Sequence, residues 1–361
     1  MSDYVERMIG NYKLLVNKHL SNKIYVERSI AEIYGSSITV KDLATFLSKN
    51  NDPLPLSVRC ELTSRCNMNC PFCYIHGHAF DKDITFEQLK PVIDKLVDKG
   101  LLFMTLTGGE CFLNKDFVRI YKYLKEKGVL LKVFTNGLRI DDEIIDLLTE
   151  YKPRRVEITI YNSIKDVPSV FDNILRLKNK WIPVLVKMTV TKTNVGIFDE
   201  VEKWCIQNKL NFKFSTQIFD SYDQTSNKEY QLPIDEAAKL DRKVLVDYLP
   251  EEDRVDGIKC FQCNGGSYSY VIDSSFNLRI CGRIHNPKYS LQEYTLDCAM
   301  QQLQIFISKY KNKPIMGCTS CKAYPICNLC FASAVVSSNL ISVDKAFCTY
   351  QNERYKKIFN Q

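Results

Sequence analysis

Short apolar runs alternate with amphipathic segments between residues 55 and 220. The apolar runs are rich in Val, Ile, Leu, Phe and Thr, which is typical of strands buried on both faces of a parallel sheet. Six strands are predicted, over residues 56–63, 101–109, 130–137, 155–162, 184–192 and 211–219. Six strand–helix units in series predict an α/β fold with a partial (β/α)6 barrel, in which the carboxyl ends of the strands carry the chemistry.

The segments between the strands have the periodicity of amphipathic helices. Thr85 and Asn114 are the predicted N-caps of the first two helices. Gly100 and Gly128 stand where these helices are expected to end, because glycine adopts the left-handed conformation of a helix stop.

The barrel is flanked by regions of different character. Residues 1–54 predict a small α+β block, with an extended or hairpin segment and then a short helix that begins at Thr39. Residues 221–258 predict a helical bridge. Residues 259–361 hold many cysteines and few long periodic segments, so we expect this region to need metal to hold it together.

Composition and charge exclude several classes of protein. No apolar run is long enough to span a membrane, and the polar N-terminal segment lacks the apolar core of a signal peptide. We therefore expect a cytoplasmic location. The formal charge of +7 is scattered along the chain, so we do not expect a nucleic-acid partner. In a reducing compartment the 15 cysteines indicate metal rather than disulfides.

The first cysteine motif follows the first barrel strand, where Cys66, Cys70 and Cys73 are spaced C-x3-C-x2-C. Three thiolates from one loop can hold a [4Fe–4S] cluster and leave one iron open for the amino and carboxylate groups of S-adenosylmethionine (SAM). With the aromatic Phe72 before its last cysteine, the motif resembles that of the radical SAM superfamily. The resemblance implies an enzyme that generates a 5′-deoxyadenosyl radical and abstracts hydrogen from its substrate. The alternative is a structural zinc knuckle.

Motifs at the ends of later strands extend the resemblance. Gly108, Gly109 and Glu110 are similar to the family's GGE motif, whose backbone and carboxylate receive the SAM amino group and whose glycines allow close approach. The resemblance implies further SAM contacts on the third to fifth strands, and Phe72 also belongs to the expected cofactor site. These later residues are Thr135, Asn136, Gly137, Thr159, Tyr161, Asn162, Lys187 and Thr191. Those on the fourth and fifth strands are equally compatible with ordinary barrel positions.

The cysteines of the C-terminal region resemble the SPASM domain, which holds two auxiliary [4Fe–4S] clusters. The resemblance assigns Cys260, Cys263, Cys281 and Cys330 to auxiliary cluster I, and Cys318, Cys321, Cys327 and Cys348 to auxiliary cluster II. Paired C-x2-C spacings also suit zinc sites, which stay open as an alternative.

Two details depart from the SPASM pattern. The last spacing, from Cys327 to Cys330, is x2 rather than x3. The glycine usual before the middle cysteine is replaced by Phe276, and we expect Asn277 to supply the left-handed turn in its place.

Four cysteines remain: Cys60, Cys111, Cys205 and Cys298. Most such thiols are inert core residues. Cys111 directly follows the GGE motif, so it is a candidate catalytic residue that donates hydrogen or contacts substrate.

Radical SAM enzymes with two auxiliary clusters are mostly maturases of peptides or proteins, and three functions are consistent with the motifs. The first is a maturase that forms a thioether or carbon–carbon crosslink in a ribosomally made peptide, with residues 1–54 recognising its leader sequence and a ferredoxin or flavodoxin as electron donor. The second is a formylglycine-forming sulfatase maturase or a peptide epimerase. The expected sulfatase-maturase aspartate after the middle cysteine is missing, because Gly282 and Arg283 follow Cys281. The third is a scaffold with structural zinc.

Overall fold

The computed structural model describes most of the barrel and parts of the flanking regions. The described residues are 4–9, 12–17, 24–26, 37–38, 54–75, 82–221, 226–245, 265–310, 313, 315, 318, 321–327, 331–337, 340–343 and 345–359. Of the described helices, none has the length and apolarity needed to cross a membrane.

The N-terminal block contains a four-stranded antiparallel sheet of β1 (Tyr4–Ile9), β2 (Tyr12–Asn17), β3 (Ile24–Val26) and β4 (Ser37–Ile38). The sequence analysis anticipated extended structure here but missed the first two strands, because they mix charged and apolar residues instead of forming an apolar run. The short helix predicted after Thr39 lies outside the described residues.

All six predicted barrel strands are present and pair in parallel in chain order. They are β5 (Ser57–Glu61), β6 (Phe103–Thr107), β7 (Leu130–Thr135), β8 (Arg155–Ile160), β9 (Val184–Thr189) and β10 (Asn211–Ser215). The prediction of a partial α/β barrel is therefore confirmed in its sheet. The connecting helices are α1 (Phe86–Asp98), α2 (Phe117–Glu126), α3 (Asp142–Glu150), α4 (Pro168–Asn179) and α5 (Phe198–Gln207), followed by α6 (Ile234–Leu245) in the bridge.

The predicted start of α1 is confirmed. The Thr85 hydroxyl accepts from the Gln88 N–H at 3.3 Å, and the Gln88 side chain accepts from the Thr85 N–H at 3.0 Å, which forms a capping box. The glycines that end α1 and α2 both have positive φ, 96° at Gly100 and 70° at Gly128. Local sequence therefore sets these helix boundaries.

The predicted N-cap at Asn114 is wrong. Helix α2 begins after Asp116, because a 3-10 turn over Cys111–Leu113 occupies the preceding positions. The Asn114 side-chain oxygen accepts from the Asp116 N–H at 2.9 Å, and its amide donates to the carbonyls of Leu62, at 2.7 Å, and Ile84, at 3.0 Å. Asn114 thus fastens the segment after β5 to the start of α1.

The C-terminal region joins the barrel sheet rather than standing apart from it. Strand β11 (Ser269–Ile272) pairs in parallel with β5, and β12 (Asn277–Arg279) and β13 (Lys288–Ser290) extend the sheet to nine strands. Helix α7 (Leu296–Ser308) packs apolar residues into the barrel's own core. Part of the C-terminal region is therefore held by the core that it shares with the barrel.

Further C-terminal elements follow α7. They are the short helix α8 (Tyr324–Cys327), strands β14 (Ala334–Ser337) and β15 (Leu340–Val343), and helix α9 (Lys345–Phe359). The prediction that Asn277 adopts the left-handed conformation is wrong. Phe276 itself has φ 61°, and Asn277 belongs to β12.

Candidate functional site

The three-cysteine loop leaves the carboxyl end of β5. Cys66 is exposed, while Cys70 and Cys73 are half-buried, and the Cys73 N–H donates to the Cys70 carbonyl at 3.1 Å. All three thiols thus come from one short turn at the barrel edge where the other candidate residues lie.

Backbone contacts with the turn after β6 hold this loop. The Gly109 N–H donates to the Thr63 carbonyl and the Glu110 N–H donates to the Arg65 carbonyl, both at 2.8 Å. A Cβ on Gly109 would lie 2.3 Å from the Arg65 carbonyl oxygen, and one on Gly108, where φ is 150°, would lie 2.4 Å from that of Thr63. These glycines are therefore needed for close approach to the cysteine loop, whereas the sequence analysis expected close approach to SAM.

The Glu110 carboxylate is fully buried at the junction of β6 and β7. It accepts from the Thr135 hydroxyl at 2.9 Å, from the Asn136 N–H at 2.8 Å and from the Phe112 N–H at 3.2 Å. Burial raises the pKa of this carboxyl group, and the hydrogen bonds oppose that rise. Glu110 thus positions the neighbouring loops, and its carboxylate oxygens point to these donors.

Asn136 links the end of β7 to the cysteine loop. Its side-chain amide donates to the Asn67 side-chain oxygen at 2.8 Å and lies 3.8 Å from the Cys66 sulfur. A solvent-open pocket adjoins it, lined by Met68 of the cysteine loop and by Thr159 and Tyr161 at the end of β8. Residues predicted separately at three strand ends therefore meet at one edge of the barrel.

Phe72, within this loop, packs among aromatic rings. Its ring centroid lies 5.9 Å from that of Tyr161 and 6.1 Å from that of Tyr230. The Asn227 side chain donates to the Phe72 carbonyl at 3.3 Å and to the Phe219 carbonyl at 2.9 Å. The sequence analysis missed Asn227 and Tyr230, since they follow the last barrel strand and belong to no motif.

Two further candidates lie on β9 and in the turn that follows it. Lys187 lies within the strand, with its ammonium 3.1 Å from the Glu157 carboxylate and 5.2 Å from the centre of the Phe134 ring. Thr191 is fully buried, and its N–H donates to the Asn194 side chain at 2.8 Å. Neither residue lines the pocket beside Asn136.

The loop's donor set fits an iron–sulfur cluster. Burial raises the pKa of Cys70 to about 12, and the nearby Cys73 and Cys66 add to the rise. Thiols crowded in this way ionise readily only beside bound cations, and cluster irons supply that charge. In the described parts of the chain no three His, Cys, Asp or Glu side chains converge around a point that would suit a single metal ion. A four-iron cluster is larger and takes each thiolate at a separate iron.

Five of the eight predicted auxiliary ligands are described. The Cys321 N–H donates to the Cys318 carbonyl at 3.1 Å, and the Cys318 pKa is raised by burial and then by Cys348 and Cys321. These thiols of the predicted auxiliary cluster II are thus neighbours, and Cys327 ends the adjacent helix α8. For auxiliary cluster I, Cys281 follows β12. Cys260, Cys263 and Cys330 lie outside the described residues.

Arg354 joins the cysteine-rich C-terminal region to the barrel. It was not predicted from the sequence. From α9, its guanidinium donates to the buried Asp241 carboxylate of α6 at 2.7 Å and to the Ile326 carbonyl, next to Cys327, at 3.1 Å. Asp241 also accepts from Thr216, just after β10, at 3.1 Å. No sequence motif marks this pair, because its members are far apart along the chain.

Replacing Arg354 by methionine is expected to lower the free energy of unfolding by about 3–5 kcal/mol, because it leaves the buried Asp241 carboxylate uncompensated. Anaerobic urea unfolding followed by circular dichroism measures the change. Lys356→Met on the same helix is the control, because Lys356 pairs with Glu353 at the exposed surface. Equal stability of the two variants would contradict the prediction.

Cys111, the predicted catalytic residue, is not among the residues that line the pocket. Its side chain is fully buried in the core, where its thiol donates to the Phe134 carbonyl at 3.3 Å. Burial raises its pKa well above that of an ordinary thiol. Cys60 and Cys205 are likewise buried, and Cys298 is half-buried on α7.

Comparison with known proteins identifies related sequences. Residues 60–181 match the family model of the radical SAM superfamily. The sporulation killing factor maturation protein SkfB of Bacillus subtilis is 28% identical over 55% of this chain and 54% of its own length. The antilisterial bacteriocin subtilosin biosynthesis protein AlbA of the same organism is 35% identical over 30% of this chain and 25% of its own length. The chain therefore spans about half of SkfB and a quarter of AlbA.

A solved structure extends the fold comparison over nearly the whole chain. Streptococcus suis SuiB, bound to S-adenosylmethionine, superposes with a TM-score of 0.62 over 91% of this chain and 94% of SuiB, at 13% identity. At this identity the likeness shows a common fold. The family match covers residues 60–181, which include the Cys66–Cys73 loop. These residues therefore form a domain of the radical SAM superfamily.

Proposed function

We propose that this chain is a radical SAM maturase that abstracts hydrogen from a ribosomally made peptide and forms a thioether or carbon–carbon crosslink. One observation carries the proposal: three thiols of one loop share a barrel edge with a pocket lined by Met68, Asn136 and Thr159. The names of the relatives support the substrate class. SkfB is a maturation protein, AlbA a bacteriocin biosynthesis protein, and SuiB has been solved with its precursor peptide SuiA.

Cys66, Cys70 and Cys73 would hold a [4Fe–4S] cluster whose open iron takes SAM. When bound, this pair supplies a 5′-deoxyadenosyl radical for hydrogen abstraction. The chain's own residues prepare the site. Gly108 and Gly109 let the turn after β6 dock against the cysteine loop.

Other residues hold the cysteine loop and line the wall of the neighbouring pocket. Asn136 fixes the loop through Asn67, and Glu110 holds Asn136 in place through its backbone N–H. Thr159 and Tyr161 line the wall where we propose that SAM lies. Phe72 anchors the cysteine loop through its ring contacts with Tyr161 and Tyr230.

We further propose that the C-terminal region is a SPASM domain with two auxiliary [4Fe–4S] clusters. Auxiliary cluster I would use Cys260, Cys263, Cys281 and Cys330, and auxiliary cluster II would use Cys318, Cys321, Cys327 and Cys348. The closeness of Cys348 and Cys321 to Cys318, whose pKa they raise after burial, supports the second set. Ferredoxin or flavodoxin would supply electrons, and the N-terminal sheet would take the leader sequence. A reducing cytoplasm suits this chemistry.

Formylglycine formation is less well supported. It needs a base near the target thiol or hydroxyl, and the position after Cys281 is Gly282. Next in the chain, the Arg283 guanidinium stacks 3.7 Å from the centre of the Phe219 ring. A cation in this place is a poor proton acceptor.

Anaerobic co-expression with each small peptide encoded beside the gene tests the proposal. Intact mass spectrometry should show loss of two hydrogen atoms per crosslink, and the loss should be absent with the Cys70→Ala variant. An unchanged mass in ordinary water with incorporation of deuterium in heavy water would indicate epimerisation instead. An unchanged mass in both solvents, for every neighbouring peptide, would reject a peptide maturase.

A further inference from the structure

The inner wall of the barrel is built in layers that the strand register defines. Lys132 on β7 lies opposite Arg155 on β8, and Phe134 lies opposite Glu157 one layer higher. Thr159, at the top of β8, reaches the pocket beside Asn136. Alternate residues of β7 such as Val133 are buried among the helices, so Lys132 faces the interior of the barrel.

Two cations of neighbouring layers meet at Glu157, with Arg155 one layer below it and Lys187 one layer above. Glu157 is 3% exposed and accepts from the Arg155 guanidinium at 3.0 Å, while the Lys187 ammonium lies 3.1 Å away. The Arg155 and Lys187 side chains are 38% and 41% exposed, so both can be reached from the lumen. The buried Glu157 carboxylate is therefore the ion-pair partner of both Arg155 and Lys187.

Lys132 adds a third cation below this pair. It is half-buried, and its ammonium forms no hydrogen bond or ion pair with the described part of the chain. Burial lowers its pKa, and the nearby Arg155 and Arg154 lower it further, while Glu157 has the opposite effect. An anion bound in the lumen would relieve this repulsion.

We propose that Lys132 and Arg155, with Lys187 above them, form a carboxylate-binding subsite that takes a glutamate or aspartate side chain of the substrate peptide. This inference rests on the proposed function, since it names which side chain enters the barrel. Bidentate pairing with Arg155 and a point charge from Lys132 suit a carboxylate.

The carboxylate of SAM is the other candidate ligand for this subsite. The positions of the subsite residues along the strands argue against it. Lys132 lies four residues before Asn136 in β7, a rise of roughly 13 Å along a strand. In the proposed function the SAM carboxylate binds the open iron at the upper edge. Lys132 and Arg155 lie well below, where a substrate side chain would enter, and Lys187 reaches down to Glu157 from the layer of Thr159.

Binding of short probes tests the subsite without knowledge of the peptide. N-acetyl-glutamate α-amide is titrated calorimetrically into the anaerobically reconstituted full chain with SAM bound, and N-acetyl-glutamine α-amide serves as the neutral probe. We expect the glutamate probe to bind and Lys132→Gln to weaken it about tenfold, as expected for loss of a charged partner. Lys122→Gln is the matched control, because Lys122 is half-buried against the Tyr151 ring on the outer helix layer.

A second variant has the opposite expected sign. Glu157→Gln removes the carboxylate that competes for Arg155 and Lys187, so it should bind the glutamate probe more tightly than the unmodified chain. Lysine acetylation mapped by mass spectrometry gives a site-specific readout in the unmodified protein. The glutamate probe should slow the modification of Lys132 and leave that of Lys122 unchanged.

Equal affinity for the two probes, or full affinity after Lys132→Gln, would overturn the subsite. A loss of SAM affinity in Lys132→Gln would assign the carboxylate to SAM and also overturn it. SAM cleavage to 5′-deoxyadenosine without peptide is measured in parallel. Its absence in the unmodified chain would count against the proposed function, independently of probe binding.

Discussion

The Gly109→Ala variant is expected to lose the cluster of the Cys66–Cys73 loop. The new methyl carbon would lie 2.3 Å from the Arg65 carbonyl oxygen and 2.7 Å from its carbonyl carbon, far inside the contact distance of about 3.5 Å. These are backbone atoms one residue before Cys66, so a rotamer change cannot relieve the clash. The cysteine loop must move, and its hydrogen bonds to the turn after β6 are lost with it.

Iron and sulfide content after anaerobic reconstitution measures this effect. The iron content of Gly109→Ala should fall to that of a variant lacking all three loop cysteines, and 5′-deoxyadenosine formation should fall below detection. Gly196→Ala is the matched control, because no atom lies within 4 Å of the position its methyl group would take. Full iron content in Gly109→Ala would show that the loop tolerates the displacement.

Glu110→Ala is expected to lower the free energy of unfolding by about 3–5 kcal/mol, because it leaves several buried donors without an acceptor. The donors are the Thr135 hydroxyl and the N–H groups of Asn136 and Phe112. Asn136 also holds Asn67 of the cysteine loop, so SAM binding should weaken along with stability.

Anaerobic urea unfolding and SAM titration measure the two effects of Glu110→Ala. The control is Glu87→Ala, since Glu87 forms an exposed ion pair with Arg119 whose loss is expected to cost about 1 kcal/mol or less. Glu110→Gln keeps the side-chain shape but turns an NH2 group toward a donor. Its stability should therefore lie between that of Glu110→Ala and that of Glu87→Ala. A Glu110→Ala variant as stable as Glu87→Ala would refute the positioning role.

The barrel strands and the cysteine loop could be predicted because their signals are local. An apolar run marks a buried strand whatever lies beside it, and a capping box such as that of Thr85 and Gln88 is complete within four residues. The failed N-cap at Asn114 shows the limit of this reasoning. Its side-chain oxygen accepts locally from the Asp116 N–H, but its amide bonds to Leu62, 52 positions earlier, and α2 begins only after Asp116.

The roles of individual site residues depend on contacts that the sequence does not display. Glu110 and Cys111 are adjacent in sequence, yet Glu110 joins two strand ends while Cys111 points into the core. Which of two neighbours faces a pocket follows from strand register and from the helices packed outside it.

By itself, the sequence determined the order of the barrel strands and helices and the three thiols of the Cys66–Cys73 loop, because these depend on residues close along the chain. Only the tertiary structure decided that β11 lies beside β5, that Arg354 reaches Asp241 and that Lys132 shares a layer with Arg155. Each of these contacts joins separate elements. Their register is set by the packing of the whole barrel, and no short stretch of sequence contains it.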